Sequence, residues 1–517
     1  MSKKFYVTTP IYYVTDVPHI GHLYTTVAAD VLARYHRLKG EQVWFLTGTD
    51  EHGQKIQKKA KELGETPQQL ADRVVERYKQ AWVKYGITHD DFIRTTEQRH
   101  KKVVQHLIKR LMDSGDIYLG NYEGWYCLPD EAFWTETQVV NGCCPDCGRP
   151  VERLQEESYF FRMSAYGDKL LHHIEQNPGF ILPESRKNEV VSFIKQGLKD
   201  ISISRTTIQW GIPMPPDPNV TREHKVYVWF DALTNYVSAL GPLDGDEKFP
   251  NFWPQAVHLV GKDILRFHAV YWPTFLMALG MPLPKRIVAH GWLLSGSGKM
   301  SKSLGNVVNP IELADEIGVD GVRFFLFREF VFGQDGEYTK DTLIQRVNAD
   351  LANDFGNGIS RVCSMIIKYL GQGPLDLNTL LTEDSELRTV AGQIIPKFHE
   401  ELEKFAFERA LEQLWSLLSS VNRYIESNAP WNLAKEKDPA AQDKLKKILM
   451  HCHESLRIVS LCLLPFIPRS ASQALSFLGD KESEKTSSPM DKASWGKGPQ
   501  KVLVSKGQPL FPRLERA

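Results

Sequence analysis

A strand, a helix and a second strand follow one another at the start of this chain, and this order constrains the fold more than any other feature. Residues 5–9 have β-forming character, an apolar residue recurs at every fourth position over residues 21–39, and residues 42–47 again resemble a strand. Gly40 ends the predicted helix. Two strands joined by a helix pair in parallel, so the sequence predicts an α/β fold built on a parallel sheet.

The composition changes along the chain and separates further regions. Residues 118–222 are rich in aromatic residues, Gly and Cys and have no clear period, which predicts an insertion into the sheet domain. From about Arg346 to residue 479 the apolar pattern is helical throughout, which predicts a helix bundle. Three strand-like runs are predicted to complete the sheet, at residues 225–230, 257–260 and 286–289.

The predicted fold class is α/β, with a Rossmann-like, doubly wound parallel sheet, an inserted connective domain and a following all-α helix bundle. After the bundle, a polar stretch predicts a linker, and the apolar residues beyond it predict a peptide docked on the body. We expect five regions: the two halves of the sheet domain at 1–117 and 223–340, the insertion at 118–222, the bundle at 341–480, and the linker and docking peptide at 481–517.

The charge balance and the apolar runs limit the classes of partner. Lys and Arg together number 63, and so do Asp and Glu, so composition alone argues mildly against a nucleic-acid partner and any basic surface must be local. The longest apolar run, residues 458–467, is too short to span a bilayer. The first residues lack the apolar segment of a secretory signal, so we expect a cytoplasmic protein without a membrane partner.

The motif His19-Ile20-Gly21-His22 lies between the first predicted strand and the first predicted helix. Ligands of open α/β sheets bind beyond the carboxyl ends of the strands, and a helix N-terminus favours phosphate. The two imidazoles could donate hydrogen bonds to phosphate oxygens, and Gly21 would let an adenine approach the backbone. Taken alone, the motif also fits two surface histidines that cap a helix.

A second motif, Lys299-Met300-Ser301-Lys302-Ser303, is flanked by glycines. Two ammonium groups three positions apart can close on a polyphosphate and stabilise negative charge that develops in a transition state. Taken alone, this segment is better interpreted as a solvated basic loop.

Together, in this order and each after a strand, the two motifs resemble the signature pair of class I aminoacyl-tRNA synthetases. The sequences Thr-Gly-Thr-Asp-Glu-His-Gly at 47–53, Val-Trp-Phe-Asp-Ala at 228–232 and Gly-Lys-Asp-Ile at 261–264, with His268, narrow the resemblance to the methionyl-tRNA synthetase family. The resemblance covers nearly the whole chain. It implies a methionine–tRNA ligase that forms methionyl-adenylate from L-methionine and ATP, with Mg²⁺ accompanying ATP, and then loads tRNA(Met) for translation, including initiation.

The resemblance also implies which residues carry the chemistry. Catalysis would rest on His19, His22, Lys299 and Lys302. ATP would contact His19, Gly21, His22, Lys262, Asp263, Lys299, Ser301 and Lys302. Methionine would contact Ile11, Tyr13, Asp50, Trp229, Ala232, Leu233, Tyr236, Ile264 and His268. The bundle would read the CAU anticodon with Asn357, Arg361, Pro430 and Trp431.

Each of these assignments has a physical basis, and each residue could also have a purely structural role. A carboxylate such as Asp50 at a strand end can hold an α-ammonium group, although it could equally cap a turn. An aromatic and aliphatic cage suits a thioether, yet each aromatic residue taken singly is more often part of a core. Trp431 offers a stacking surface for an unpaired base, and Arg361 lies one helical turn after Asn357, although core packing and a solvated face would explain them too.

The insertion contains the pattern Cys127-x2-Asp130-x13-Cys144-x2-Cys147. Two knuckles of this spacing form a tetrahedral zinc site. The zinc-bearing branch of the family has Cys where this chain has Asp130, but Asp can also ligate zinc, and the adjacent Cys143 is a possible substitute. We predict a structural Zn²⁺ bound by Cys127, Asp130, Cys144 and Cys147, and a protein that is monomeric.

Three other interpretations of the function remain: a synthetase for another amino acid, a small-substrate nucleotidyltransferase and a non-enzymatic protein. Leucine, isoleucine and valine synthetases carry an editing insertion larger than the roughly 100 residues found here. Cysteinyl enzymes place a zinc thiolate early in the chain, whereas no cysteine precedes Cys127. A small-substrate nucleotidyltransferase shares a His-x-Gly-His element but would not need the helical region. A non-enzymatic tRNA-binding or scaffold protein is disfavoured because Lys299 and Lys302 are intact.

Overall fold

The computed structural model describes residues 3–134, 136, 138–218, 220–241, 247–295, 298–299, 308–377, 381 and 384–515. The chain folds into two compact units. The first, called the sheet unit, comprises Lys4–Ala29 and Trp44–His290. The second, called the bundle unit, comprises Met1–Lys3, Asp30–Val43 and Gly291–Ala517.

A six-stranded sheet forms the centre of the sheet unit. In spatial order its strands are Asp91–Arg94 (β3), Gln42–Asp50 (β2), Lys4–Tyr13 (β1), Ala256–Gly261 (β11), Arg286–His290 (β12) and Ile181–Leu182 (β7). The β2–β3, β1–β11, β11–β12 and β12–β7 pairings are parallel, with Tyr6 opposite Ala256 and Val257 opposite Arg286. This order is that of a doubly wound sheet, as predicted, and its ligand crevice lies beyond the carboxyl ends of β1 and β11.

Helices connect and cover these strands. Those outside the insertion are Ile20–Leu38 (α1), Gln54–Leu63 (α2), Pro67–Tyr85 (α3), Gln98–Asp113 (α4), Val228–Ser238 (α7), Lys248–Phe252 (α8) and Trp272–Ala278 (α9). The residues of α1 from Asp30 onwards belong to the bundle unit. Short 3-10 turns occupy Trp253–Gln255 and Lys262–Ile264, and a π-helical turn occupies Phe267–Tyr271. Helix α3 begins with a capping box, in which Thr66 and Gln69 exchange side-chain and backbone hydrogen bonds.

One predicted strand of the sheet is wrong. Residues 225–230 are not a strand of the main sheet: only Lys225–Val226 (β10) is extended, and it pairs with Ser204–Arg205 (β9) in a separate two-stranded sheet. Helix α7 starts at Val228 instead, and all eleven of its residues are buried. The run 225–230 includes only the first three residues of α7, which are all apolar, and this is too short to show a helical period. The polar residues that recur at helical spacing, Asp231, Thr234, Asn235 and Ser238, come after it.

The insertion forms an antiparallel sheet of its own. In spatial order its strands are Ala132–Trp134 (β5), Ile117–Cys127 (β4), Glu152–Phe161 (β6) and Ile201–Ser202 (β8). Two helices follow β6, at Gly167–Gln176 (α5) and Glu184–Lys195 (α6). Strand β7 lies between these helices in the sequence but pairs with β12, so the insertion also supplies the edge strand of the main sheet.

The bundle unit is largely helical from residue 310 onwards, in agreement with the sequence pattern. Its helices are Pro310–Ile317 (α10), Val319–Arg328 (α11), Lys340–Arg346 (α12), Asn357–Leu370 (α13), Glu386–Glu403 (α14), Phe407–Asn428 (α15), Pro430–Leu433 (α16), Pro439–Leu463 (α17) and Pro468–Phe477 (α18), with a π-helical segment at Val347–Gly356 and 3-10 turns at Ser483–Lys485 and Pro489–Lys492. In the part of the chain that the structure describes, no helix is both long enough and apolar enough to cross a membrane.

Short strands complete the bundle unit. They are Leu293–Ser295 (β13), Gly298–Lys299 (β14), Gly336–Glu337 (β15), Leu375–Asp376 (β16) and Lys501–Val502 (β17). Strand β17 pairs with β16, and the main-chain N–H of Ser505 donates to the carbonyl oxygen of Phe477 at 2.9 Å. The C-terminal segment therefore lies against the helices of this unit.

Candidate active site and candidate metal centre

The two histidines of the first motif lie at the N-terminus of α1, just beyond the end of β1. The His19 and His22 rings are stacked with their centroids 3.7 Å apart, and the Gly21 N–H donates to His19 Nδ1 at 3.0 Å. Burial, with a smaller contribution from His19, lowers the pKa of His22 well below its usual value. His22 is therefore a neutral imidazole near pH 7, positioned where a helix N-terminus attracts phosphate.

Asp50 ends strand β2 and is a buried carboxyl group. It is 3% exposed, and its Oδ1 has no hydrogen-bond partner among the described residues. Burial, then the charges of Asp231 and Glu131, raise the pKa of Asp50 well above its usual value. A buried oxygen without a partner is costly, so a cation that binds here with N–H donors would remove that cost.

Aromatic residues of α7 contact the π-helical turn that follows β11. The Trp229 ring stacks on Phe267 at a centroid distance of 3.7 Å and an interplanar angle of 3°. Tyr236 Oη lies 2.7 Å from His268 Nε2, and His268 Nδ1 lies 2.9 Å from the carbonyl oxygen of Ile264. Burial lowers the pKa of His268 to about 4. The neutral ring therefore donates from Nδ1 to the carbonyl and accepts at Nε2 from the Tyr236 hydroxyl.

Tyr13, at the end of β1, belongs to a second group of polar contacts. Its hydroxyl donates to Glu131 Oε2 at 3.1 Å, and Lys55 Nζ lies 4.3 Å from the Tyr13 ring centroid and 3.8 Å from Glu131 Oε2. Glu131 is 1% exposed and has a φ of 51°, a left-handed conformation uncommon for a residue with a side chain. The buried carboxylate thus joins the insertion to the end of β1.

The remaining predicted pocket residues fall on the same elements. Ala232 and Leu233 are buried in α7, Ile11 is half-buried in β1, and Lys262, Asp263 and Ile264 form the 3-10 turn directly after β11. Of the residues that the sequence assigned to methionine, Ile11 and Tyr13 lie at the end of β1, Asp50 ends β2, Ile264 and His268 follow β11, and the others lie on α7. Trp229 contacts Phe267 and Tyr236 contacts His268, and the assignment of the whole set to methionine stays a prediction. The structure also adds Phe267, Glu131 and Lys55 to this group of contacts, and the sequence did not indicate any of the three. Phe267 and Glu131 directly adjoin residues that were selected, but adjacency alone does not reveal a contact.

The four predicted metal ligands converge in the insertion. One ligand atom each from Cys127, Asp130, Cys144 and Cys147 lie within 4.8 Å of one another. Cys127 Sγ is 3.6 Å from Cys147 Sγ, and Cys144 Sγ is 3.2 Å from Asp130 Oδ2. Ligands about 2.0–2.3 Å from a tetrahedral zinc ion are separated by distances of this size. Cys143, the substitute considered from the sequence, is not part of this group, whereas Asp130 is.

The second signature motif is only partly described. Lys299 lies in β14, where its backbone pairs with Leu294 of β13. Ser301 and Lys302 lie outside the described residues. Their assignment to the ATP site stays a prediction.

The predicted anticodon residues lie on α13 and at the start of α16. Pro430 begins α16 after Ala429, and the half-buried Trp431 follows it. The Arg361 guanidinium is 5.9 Å from the Trp431 ring centroid, and its Nη2 is 2.6 Å from Glu426 Oε1. Asn357 is exposed at the first position of α13, one turn before Arg361. A half-buried indole beside a guanidinium offers an aromatic face and N–H donors, which are the groups that recognise unpaired bases.

Comparison with known protein families defines the class of the fold and site. The family described as tRNA synthetases class I (M) matches residues 5–155 and 147–363, and the anticodon-binding domain of methionyl tRNA ligase matches residues 378–498. The protein is therefore a class I tRNA synthetase, a ligase. Among individual relatives, the methionine–tRNA ligase of Caldanaerobacter subterraneus subsp. tengcongensis is 50% identical over 517 residues, which is 100% of this chain and 80% of the relative.

Two further comparisons agree. The methionine–tRNA ligase of Bacillus subtilis is 49% identical over 529 residues, covering 99% of this chain and 78% of the relative. The structure of Mycobacterium tuberculosis methionyl-tRNA synthetase in complex with methionyl-adenylate has a TM-score of 0.92 and 41% identity, covering 99% of this chain and 100% of that one. The chain belongs to the methionyl-tRNA synthetase family.

Proposed function

We propose that the protein activates L-methionine with ATP and transfers the activated methionine to the 3′ end of tRNA(Met), for translation and its initiation. The observation that carries this proposal is the buried carboxylate of Asp50, whose Oδ1 has no partner among the described residues. The aromatic residues Trp229 and Tyr236 lie on α7, and Asp231 of that helix contacts His52, two residues after Asp50. A buried anion together with aromatic residues suits an amino acid with a cationic α-ammonium group and a thioether side chain.

In the first step, a carboxylate oxygen of methionine attacks the α-phosphorus of ATP. The bond from that phosphorus to the bridging oxygen breaks, and pyrophosphate leaves with the electron pair. His19 and His22 donate hydrogen bonds to phosphate oxygens, while the ammonium groups of Lys299 and Lys302 offset the charge that moves onto pyrophosphate. Mg²⁺ bound to ATP supplies further positive charge. No covalent enzyme intermediate is needed, so catalysis comes from positioning and electrostatics.

In the second step, a hydroxyl of the terminal ribose of tRNA attacks the carbonyl carbon of methionyl-adenylate. The bond from that carbon to the phosphate oxygen breaks, AMP leaves, and the hydroxyl proton is released. Asn357, Arg361, Pro430 and Trp431 select the tRNA by its CAU anticodon, through stacking on the indole and hydrogen bonds to base edges. The bundle region 341–480 is accordingly the anticodon-binding domain, and the region 118–222 is the connective domain.

Methionine lies with its α-ammonium group on Asp50 and its side chain against Trp229, Ala232, Leu233 and Tyr236. Ile11, Tyr13, Ile264 and His268 complete its surroundings. Since His268 is neutral and its two ring nitrogens are bound to Tyr236 and to the Ile264 carbonyl, this part of the pocket presents no net charge to the thioether.

A structural Zn²⁺ fits the group of Cys127, Asp130, Cys144 and Cys147, because three soft thiolates and one carboxylate at these separations suit zinc. The ion would hold the two knuckles of the insertion together and would take no part in the reaction. The protein is further proposed to act in the cytoplasm as a monomer.

The test is methionine-dependent exchange of pyrophosphate into ATP, measured with each of the twenty amino acids in turn. We expect exchange with methionine in the absence of tRNA, followed by charging of tRNA(Met) when it is added. Exchange that another amino acid supports better than methionine would refute the proposed substrate. Absence of exchange with every amino acid would refute the proposed enzyme activity.

A further inference from the structure

Three buried polar side chains behind the pocket have no role in the reaction described above. The Asp231 carboxylate of α7 lies between two imidazoles: Oδ2 is 2.7 Å from His52 Nδ1, and Oδ1 is 2.7 Å from His100 Nε2. Asp231 is 1% exposed, His52 is 3% exposed and His100 is fully buried. His52, Asp231 and His100 are called the His–Asp–His cluster.

The cluster holds the side of α7 that faces away from the pocket. His100 Nδ1 is also 2.8 Å from Ser238 Oγ, so one imidazole on α4 contacts two residues of α7 that are seven positions apart. At about 3.6 residues per turn, seven positions are nearly two full turns, so Asp231 and Ser238 share one face. By the same geometry Trp229 and Tyr236 lie on the opposite face.

The cluster also reaches the strand that carries the ammonium-binding carboxylate. His52 follows Asp50 by two residues, directly after the end of β2. Asp231 therefore bonds to the segment after β2 through His52 and to α4 through His100. Although burial opposes it, the two histidines lower the pKa of Asp231 to about 2, so the carboxylate is ionised and accepts a hydrogen bond on each oxygen.

We propose that the His–Asp–His cluster consists of positioning residues for methionine: it fixes the end of β2, which carries Asp50, relative to the face of α7 that carries Trp229 and Tyr236. This inference rests on the proposed function of Asp50 and α7. The α-ammonium group and the side chain of methionine are held by different elements, so their separation in the protein must match the separation in the substrate. A carboxylate that is bonded on both sides sets that separation more narrowly than non-directional apolar contacts do.

A matched pair of substitutions at His100 separates the two bonds that its ring makes. The side-chain amide of glutamine extends about as far as Nε2, and that of asparagine about as far as Nδ1. His100→Gln therefore keeps a donor to Asp231 and loses the contact with Ser238, whereas His100→Asn keeps the contact with Ser238 and loses the donor to Asp231. Both substitutions place a polar side chain at position 100, and each removes one buried hydrogen bond.

We expect His100→Asn to raise the KM for methionine in pyrophosphate exchange by ~10-fold or more, because small misplacement of binding groups has effects of that size. The KM for ATP should stay within about twofold. His100→Gln should keep a KM for methionine near that of the wild type, although both variants melt at a lower temperature. Arg457→Met is the stability control: it breaks the buried ion pair with Glu454 in the bundle unit and should lower the melting temperature without changing the KM for methionine.

Each possible result either supports or overturns the inference. A rise in the methionine KM that is confined to His100→Asn supports it. Equal rises in both His100 variants, no rise in either, or a parallel rise in the ATP KM would overturn it and leave the cluster a general packing feature.

If His100→Asn does not fold, substitutions at Asp231 replace it. Asp231→Asn keeps both bonds, because asparagine can donate to one imidazole and accept from the other. Asp231→Leu, which can bond to neither imidazole, is its matched pair. A methionine KM that rises in folded Asp231→Leu and stays near that of the wild type in Asp231→Asn supports a positioning role, whereas equal values in the two variants, or a parallel rise in the ATP KM, overturn it. Wild-type exchange with methionine tests the proposed function separately.

Discussion

The carboxylate of Asp50 allows a prediction in which stability and activity move in opposite directions. Asp50 is 3% exposed, its Oδ1 lacks a partner among the described residues, and Asp231 and Glu131 add negative charge nearby. We consider Asp50→Asn, which keeps the size of the side chain and removes its charge. A lost hydrogen bond to a charged group costs about 1.5–3 kcal/mol, so kcat/KM for methionine should fall by ~10- to 150-fold.

The effect on folding has the opposite sign. Because burial raises the pKa of Asp50 above its unfolded value, the folded state prefers the protonated form. The raised pKa therefore lowers the free energy of unfolding at every pH above the unfolded pKa of about 4, and the penalty is fully developed above the folded pKa. Asparagine carries no such penalty. We expect the variant without substrate to melt at the same temperature as the wild type or higher at pH 7.5, and the difference to shrink as the pH falls towards 4.

The assay combines pyrophosphate exchange with thermal melting on one preparation. Saturating methionine should raise the melting temperature of the wild type, since a ligand that binds the folded state stabilises it, but should barely affect the variant. A variant that melts lower than the wild type and keeps its kcat/KM for methionine would refute the reasoning on both counts. In that case Asp50 would be a structural residue at a strand end.

Three further predictions concern the remaining sites. Lys302→Ala should reduce adenylate formation by ~10²-fold, the size of losing one preorganised charge stabiliser, and leave methionine binding unchanged in an equilibrium titration. Elemental analysis of protein purified without chelator should give one zinc per chain; Cys144→Ser should lose the metal, whereas Cys143→Ser should keep it. Trp431→Ala should cost ~1–3 kcal/mol in tRNA recognition, measured as kcat/KM for tRNA(Met), and leave exchange without tRNA unchanged.

Each of these predictions has a result that would contradict it. Exchange by Lys302→Ala at the wild-type rate would remove the loop from catalysis, with Lys485→Ala as the control for loss of an exposed lysine. A folded, active sample without zinc would show that the insertion needs no metal. Trp415, which is 7% exposed in α15, is the core control for Trp431. If Trp431→Ala lowers the melting temperature and impairs exchange as Trp415→Ala should, the indole is a packing residue.

The parts of the protein that the sequence alone determined are those whose pattern is local. The strand–helix–strand order at the N-terminus predicted the parallel sheet, because periodicity and a terminating glycine are properties of adjacent residues. The position of His19 and His22 at a helix N-terminus followed from the same pattern. The cysteine spacing predicted that Cys127, Asp130, Cys144 and Cys147 lie together, since knuckle ligands are close in sequence.

The tertiary structure decided what depends on distant partners. The apolar run that includes Val228 is the start of a helix and not a strand, and the polar residues on one face of that helix are buried because they bond to distant partners such as His52 and His100. The edge strand β7 comes from the insertion, a pairing that no local signal encodes. Asp130 lies in the group of candidate metal ligands and Cys143 does not, although the sequence left Cys143 as a possible substitute.

The contacts of the pocket also divide into those that the sequence predicts and those that only the tertiary structure reveals. The family motifs point to Asp50 and Trp229, but the stacking of Phe267 on Trp229 and the bonds from Asp231 to His52 and His100 join residues separated by 38, 179 and 131 positions. Hydrogen bonds of this kind form only when the packing of strands and helices has removed water and fixed both partners. Local sequence specifies which elements form and which groups they carry, and only the packed structure determines which of those groups meet.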